Sequence, residues 1–350
     1  MGVVGCGMVA SEYAATLAAE DRVRLVACAD LDSDRAQDLA DRYAIPVMPV
    51  DRLLAPEVVD LALILTPPHT HADFGERAIT AGLLAVWVEK PLAIDPHRAA
   101  ELISRAQRAN VLLGSAPDTL LGPALQSAKK ALDQDLIGEI RSASATLLST
   151  GPERWHPSPE PFYAEHAGPL GDMGPYYLTA LDFLLGPLHV RAATAHTRPA
   201  RTIRSGPRAG SNFTADAPTY VAALLETNTG APVTLTTSFD AAGTHAPHLE
   251  IHGSTGTLVL PDPNFHDGPV LHRSYGAREW TAIDTDRAIG PLGRGLGVLD
   301  LAAAVREGRE PQCSPQRGER TVRLMDVILR TANVVIPDQT ISPATSPVSR

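Results

Sequence analysis

The sequence predicts an α/β domain built on a doubly wound parallel sheet, followed by an α+β domain whose sheet is mostly antiparallel. Two observations predict it. The first third of the chain alternates apolar, strand-like runs with helical patterns, and after about Ser115 strand-like runs follow one another without intervening helices. Length agrees, since 350 residues suit two domains at roughly 100–200 residues each.

Taken in order, Val23–Ala29, Val59–Leu65 and Ala85–Glu89 are continuous apolar runs, as expected of strands buried on both faces. Helical patterns cover Ser33–Tyr43, Ala72–Ala81 and Pro96–Ala109, the last with Asp95 as a plausible N-cap and Pro96 just inside the start. A helix over Pro123–Asp133 leads into Glu139–Thr150 and then a Pro-rich, aromatic loop, Gly151–Pro169. Strand-like stretches follow at Val190–Thr197, Thr219–Thr227, Val233–Asp240, His248–His252 and Thr257–Leu260. Between the first two, Arg198–Pro218 is Gly- and Pro-rich and reads as a solvated loop despite its arginines. Two helices, Leu296–Glu307 and Glu319–Val334, close the second domain. The expected boundaries are 1–117, 118–337, and a disordered Pro/Ser/Thr-rich tail over 338–350.

Composition narrows the function. The net charge is −10 and no basic stripe appears, so a nucleic-acid partner is not expected. No apolar run approaches the ~18 residues of a membrane span, and no signal-peptide pattern opens the chain, so the expected compartment is the cytoplasm. Cys6, Cys28 and Cys313 are too few and too scattered for a disulfide framework or a cysteine zinc site. His245, His248 and His252 alternate near a strand without a carboxylate–His spacing, and no metal is expected. Of 30 basic residues only Lys90, Lys129 and Lys130 are lysines. Where arginine is the rule, a lysine marks either chance or a task guanidinium cannot do, such as losing its proton when buried. Lys129 and Lys130 read as surface charges on a helix; Lys90 is the position of interest.

The turn Gly5-Cys6-Gly7-Met8-Val9-Ala10 follows a short apolar strand and opens a helix over Ser11–Glu20. Gly5 permits the tight turn, Gly7 lets backbone approach a pyrophosphate, and Ala10 allows close helix–strand packing. The helix N-terminus, with Met8 and Val9, then offers N–H groups to phosphate. Asp30 ends the next strand, 25 residues beyond Gly5. A carboxylate there accepts hydrogen bonds from ribose hydroxyls and repels a 2′-phosphate, which favours NAD over NADP; otherwise Asp30 caps the helix that starts near Ser33. Only four residues precede Gly5, so the first strand is short or the true start lies upstream.

The run Ala85–Glu89 delivers Glu89-Lys90-Pro91 to the carboxyl end of a strand, where ligands bind in doubly wound sheets. The alternative is a surface lysine paired with Glu89. A second element is Gly171-Asp172-Met173-Gly174-Pro175-Tyr176-Tyr177, which opens an amphipathic helix over Pro175–Leu185. Asp172 and Tyr176, four residues apart, can project to one locus. A phenol beside an ammonium has a lowered pKa and can exchange the proton of a carbinol as hydride moves. Equally open on spacing alone is an Asp172 N-cap with Tyr176 in the core.

Together with Thr66-Pro67-Pro68-His69-Thr70-His71, these segments resemble the glucose–fructose oxidoreductase / inositol dehydrogenase (Gfo/Idh/MocA) family, in order from residue 2 to about 335. The resemblance implies a Rossmann domain, an open-faced antiparallel sheet used for oligomerisation, giving a homodimer or homotetramer, and NAD(P)-linked oxidation or reduction of sugar-like alcohols. It implies Lys90 as catalytic lysine and Asp172 as the aspartate of the second motif. Tyr176 stands where many members carry histidine and a subgroup carries tyrosine. Thr66, Pro67, His71 and Glu89 then lie on the cofactor side. Two departures stand out. Ala167-Gly168-Pro169 replaces a Gly-Gly-Gly, and Ala116-Pro117-Asp118-Thr119 replaces an Asn-x-Arg-type segment, which turns Asp118 toward substrate. Trp155, His156 and Tyr163 are candidates for a sugar-stacking wall, with a structural latch as the alternative. A non-catalytic dinucleotide sensor and a glycoside-cleaving enzyme using the hydride reversibly are the other implied activities.

Overall fold

A computed structural model describes residues 1–285 and 292–332. The expected tail over 338–350 and the end of the helix placed at Glu319–Val334 lie outside the described residues.

The N-terminal sheet holds β1 (Gly2–Val4), β2 (Ala27–Ala29), β3 (Leu61–Ile64), β4 (Ala85–Val88) and β5 (Leu112–Ser115), all parallel, in the order β2-β1-β3-β4-β5. A single bridge from Cys28 to Val47 extends its edge. Every residue of β1 to β4 is buried, as the continuous apolar runs require. The strand expected over Val23–Ala29 pairs only from Ala27; Val26 N–H donates to Met1 O at 2.9 Å just before it. Helices α1 (Met8–Ala18), α2 (Ser33–Tyr43), α3 (Val50–Leu53), α4 (His71–Thr80) and α5 (Pro96–Ala109) flank the sheet. Capping sets two of their starts. Asp32 accepts from Asp34 N and Arg35 N at the head of α2, and Asp95 from His97 N and Arg98 N at the head of α5. The strand order reverses between β1 and β3, which opens the crevice in which open α/β sheets bind ligands.

The chain then forms α6 (Pro123–Asp133), β6 (Ile140–Leu148), α7 (Gly168–Asp172), α8 (Gly174–Leu185), β7 (Leu188–His196), β8 (Ala200–Thr202), β9 (Asn212–Thr214), β10 (Tyr220–Thr227), β11 (Pro232–Ser238), β12 (Leu249–Gly253), β13 (Gly256–Leu260), β14 (Leu271–Ser274), β15 (Thr281–Ala282), α9 (Leu296–Glu307) and α10 (Pro315–Ala332). The eight-stranded sheet has the order β15-β14-β13-β12-β6-β11-β10-β7. It is antiparallel except where β11 runs parallel to β6, in the register Val233↔Ala143 to Ser238↔Leu148. Period-two alternation buries Ala143, Ala145, Leu147, Val221, Leu225, Val233 and Leu235 on one face. The opposite face presents Ser142, Ser144, Thr146, Thr234, Thr236 and Leu224, none of them buried. Among the described residues no helix is long and apolar enough to cross a membrane.

Two expectations change. Of the helix pair expected to close the second domain, α10 does pack on its β7 and α8 while also touching α5 and β5, but α9 lies on β4 and β5 of the parallel sheet. Gly297 shows how close α9 comes, because a Cβ there would sit 2.1 Å from the Trp87 ring. The other change concerns 198–218, which is largely exposed as expected but contains the hairpin β8–β9 and one arginine drawn into a buried ion cluster. Arg201, 8% exposed, pairs with Glu153 and Asp240, and its Nη2 donates to Tyr163 Oη and Phe239 O at 3.0 Å. Arginines in a Gly/Pro-rich run suggest solvent, but here two distant carboxylates fold against one of them.

Replacing Arg201 with methionine should cost on the order of 3–5 kcal/mol in denaturant unfolding, because two buried carboxylates lose their counter-charge. A loss below about 1 kcal/mol would show that the cluster carries no more than a surface pair.

Candidate active site

The crevice starts at the Gly-rich turn. Gly5, at φ +96°, lies so close to β3 that a Cβ would meet Leu65 C and O at 2.7 Å. Gly7 is the opposite case: a Cβ there would meet no protein atom within 4 Å, so its space is open to a ligand. Gly7 caps α1 without a side-chain bond, and no acidic residue follows in the first turn, so apart from Ala10 N–H, which donates to Gly7 O at 3.1 Å, the first helix N–H groups are open to an anion. Met8 is 60% exposed, Val9 is half-buried, and Ala10 is fully buried against the sheet. The cavity beside the turn is lined by Cys6, Gly7, Met8, Ser11, Arg35 and Arg42, with His156 reaching in from the second domain. Asp30 does not cap α2, a role that falls to Asp32. Its Oδ2 accepts from Cys6 N at 2.6 Å and its Oδ1 from Asp32 N at 2.8 Å, so the carboxylate is fixed at the lip of the turn. An open glycine, free helix N–H groups and a fixed carboxylate fit a dinucleotide.

Thr66 and exposed Pro67 sit across the crevice, at the end of β3. His71 is buried behind them, and its ring spans two turns: Nδ1 is 2.7 Å from Pro91 O and Nε2 is 2.7 Å from Thr66 O. Burial lowers its pKa despite those carbonyls and Glu89. A neutral ring donates to one of these two carbonyls at a time, and His71 stands behind the two turns rather than in the crevice.

Lys90 leaves the end of β4 and points across to the second domain. Its Nζ donates to Asp172 O at 2.6 Å and to Asp172 Oδ1 at 2.8 Å. The pairing is with Asp172, not with Glu89. Glu89 is buried and occupied elsewhere, accepting from Tyr13 Oη at 2.9 Å and from Lys90 N at 2.6 Å, while Trp87 Nε1 donates to Tyr13 Oη at 3.0 Å. Burial alone would drive Lys90 toward neutrality, but Asp172, Tyr176 and Glu89 outweigh it and hold the ammonium above the ordinary lysine value. Lys90 is thus kept charged, the ammonium that the sequence reading sets beside Tyr176.

Asp172 ends α7, and Met173 caps α8 with no side-chain bond, so Asp172 is not the helix cap. The Ala167-Gly168-Pro169 departure resolves here too: Gly168 takes φ +69° and starts α7. Tyr176 is 5% exposed, with Lys90 Nζ 5.2 Å from its ring centroid. Burial pushes the phenol up to about 12, Lys90 and Arg294 pull it down, and Glu89 and Asp172 push it up. The lysine lowers the phenol pKa as expected, but burial wins the balance.

Two expected substrate residues lie elsewhere. Asp118 is 0% exposed and does not face the crevice. Its Oδ2 accepts from Gly295 N at 2.7 Å and Gly297 N at 3.1 Å at the head of α9, and Oδ1 lies 3.2 Å from His266 Nε2. Burial raises its pKa, but His266 and the two N–H groups outweigh it and leave the carboxyl below its ordinary value. Sequence placed Asp118 in the right segment and missed the helix that arrives 177 residues later to claim it. Tyr163 is also fully buried, donating to Glu153 beneath Arg201, and serves as the latch. Trp155, 57% exposed, packs edge-on with His156 and Phe162, and this cluster faces the crevice through His156. Arg294 had no reading from sequence, although the flanking glycines of Gly293-Arg294-Gly295 are a signal of close approach. Its guanidinium lies 4.8 Å from the Tyr176 centroid.

Residues 1–116 match the oxidoreductase family with an NAD-binding Rossmann fold, and residues 125–259 match the GFO/IDH/MocA C-terminal domain. The chain belongs to this family. An inositol 2-dehydrogenase of Rhizobium meliloti is 28% identical over 88% of this chain and 96% of its own length. A dTDP-3,4-didehydro-2,6-dideoxy-alpha-D-glucose 3-reductase of Actinomadura kijaniata is 32% identical over 94% of each chain. A solved 3-ketoreductase from Actinomadura kijaniata, in complex with TDP-benzene and NADP, superposes with a TM-score of 0.74 at 26% identity, covering 94% of this chain and 96% of the other.

The electrostatic account of Lys90 is directly measurable, because three lysines give three side-chain signals in a 15N-lysine NMR titration. The Lys90 signal should titrate above the ordinary value of 10.5, and Asp172→Asn should draw it below that value by leaving burial less opposed. A Lys90 midpoint that ignores the Asp172 substitution would refute the pairing.

Proposed function

We propose that this family member oxidises a secondary hydroxyl of a sugar, cyclitol or sugar derivative with NAD, or reduces the matching ketone. One observation carries the reading: Lys90 Nζ, at the carboxyl end of β4, is bound to Asp172 and lies over the ring of Tyr176. The inositol dehydrogenase and the sugar 3-ketoreductase among the relatives support the substrate class.

The backbone at Gly5–Val9 would hold the cofactor pyrophosphate, and Asp30 the adenosine ribose, with Thr66 and Pro67 on the facing wall. A bound nicotinamide supplies or accepts the hydride. The protein's own residues handle the proton and the oxygen. Lys90 has three N–H donors and gives two to Asp172, so the third is available to a substrate oxygen. Asp172 positions Lys90 and keeps it charged. Tyr176, a phenol at neutral pH, would give its proton to the carbonyl oxygen during reduction and regain one from solvent; in oxidation it would first lose its proton to solvent, and the phenolate would take the carbinol proton. Trp155 and His156, at the crevice edge, provide a flat apolar surface with polar tips for a sugar face.

Asp30 favours NAD over NADP through its fixed carboxylate. The NADP in the related 3-ketoreductase, and Arg35 and Arg42 beside the turn, weigh the other way. We assign a homodimer or homotetramer formed through the open face of the eight-stranded sheet, whose Ser, Thr and Leu224 side chains are flat enough to meet a second copy, and a cytoplasmic location.

Three measurements test these assignments. Lys90→Arg should lower turnover on an accepted polyol on the order of 10²-fold, because the charge is misplaced at the reacting oxygen, while NADH affinity moves only a few-fold; near-wild-type turnover would remove Lys90 from the chemistry. Isothermal titration should show tighter binding of NADH than of NADPH, and equal or tighter NADPH binding would overturn the role given to Asp30. Light scattering should give a multiple of 37.1 kDa, with a monomer mass contradicting the interface.

A further inference from the structure

Arg294 is held more firmly than a surface arginine needs. Its side chain is 13% exposed, Nη2 donates to Asn264 Oδ1 at 2.6 Å, and Nε lies 3.7 Å from Glu12 Oε2 on α1. Its neighbour Gly295 gives its N–H to the fully buried Asp118. Glycine is required on both sides. A Cβ at 293 would lie 2.6 Å from Thr16 Oγ1, and Gly295 adopts φ +116°. Groups from both domains therefore fix one guanidinium over Tyr176, 4.8 Å from the centroid that Lys90 Nζ approaches to 5.2 Å.

We propose that Arg294 is a positioning residue for proton transfer, a second cation that with Lys90 favours the Tyr176 phenolate left when the phenol protonates a substrate carbonyl. The inference rests on the reading of Tyr176 as the acid–base group. A cation on a ring face is attracted to the neutral ring and more strongly to the anionic one, so it eases loss of the proton. The groups acting on Tyr176 are Lys90 at the end of β4, Arg294 before α9, and the carboxylates of Glu89 and Asp172. Burial and the two carboxylates oppose ionisation, and the two cations counter them. Asp118 gains a role in this arrangement: by capping the head of α9 it sets where Arg294 stands.

The test reads the field at position 176 without needing a substrate. With 3-nitrotyrosine incorporated there in the full-length chain, ionisation is followed by visible absorbance in three backgrounds: Arg294, Arg294→Gln and Arg294→Lys. Arg294→Gln should raise the midpoint by about one unit, a tenfold drop in the ionisation constant, and Arg294→Lys should restore most of it. An unmoved midpoint in Arg294→Gln overturns the proposal, as does a shift that lysine fails to reverse, since charge would not be its cause. If Arg294→Gln does not fold, Asn264→Ala loosens the guanidinium without removing it; a raised midpoint supports the proposal and an unmoved one overturns it. The acid–base reading fails separately, if Tyr176→Phe keeps NADH-linked turnover.

Discussion

The structure turns on one ion pair that crosses between its two sheets, Lys90 with Asp172. Lys90 ends a strand of the parallel sheet, and Asp172 ends the short helix that introduces α8 beside the mixed sheet. Neither charge is fully solvated, with side chains 16% and 21% exposed, so each needs the other. Their bond places the second domain's tyrosine over the first domain's lysine. It also leaves one of the three ammonium donors unused by Asp172.

Around that pair the other buried groups act as struts. Trp87, Tyr13 and Glu89 form a chain of hydrogen bonds that ends on the Lys90 amide, so the lysine backbone is fixed from beneath. His71 ties the Thr66 turn to Pro91 on one side. On the other, Asp118 draws the head of α9 onto the parallel sheet and brings Arg294 with it. Arg201, Glu153 and Tyr163 anchor the loop that carries Trp155 and His156 to the crevice edge. Such positioning shells let a reacting group keep one geometry without depending on its own flexible side chain.

The parts legible in sequence are those set by local chemistry. Apolar runs, Asp95-Pro96 and the Gly5–Ala10 turn gave strands, a capped helix and a phosphate-binding corner, because strand burial, capping and glycine conformations depend on near neighbours. Lys90, Asp172 and Tyr176 were found through motif spacing and prove to converge. What sequence misread depends on distant partners. Asp118 was turned toward substrate because the helix that caps on it comes much later in the chain. Tyr163 looked like a stacking aromatic until Arg201 folded over it. Sequence shows the lysine that lowers the Tyr176 phenol pKa but not the depth of burial that raises it, which is a property of the whole fold.

Hydride chemistry on a polyol or its ketone, rather than dinucleotide sensing, is the activity proposed for this crevice. The most direct measurement follows nicotinamide absorbance while the purified protein is offered NAD with a panel of inositols, aldoses and sugar derivatives, and NADH with the matching ketones. NADH formation or consumption is expected with at least one member, abolished by Asp172→Ala in protein that still binds the cofactor. Tight cofactor binding with no turnover across the panel, or turnover untouched by loss of Asp172, would contradict it.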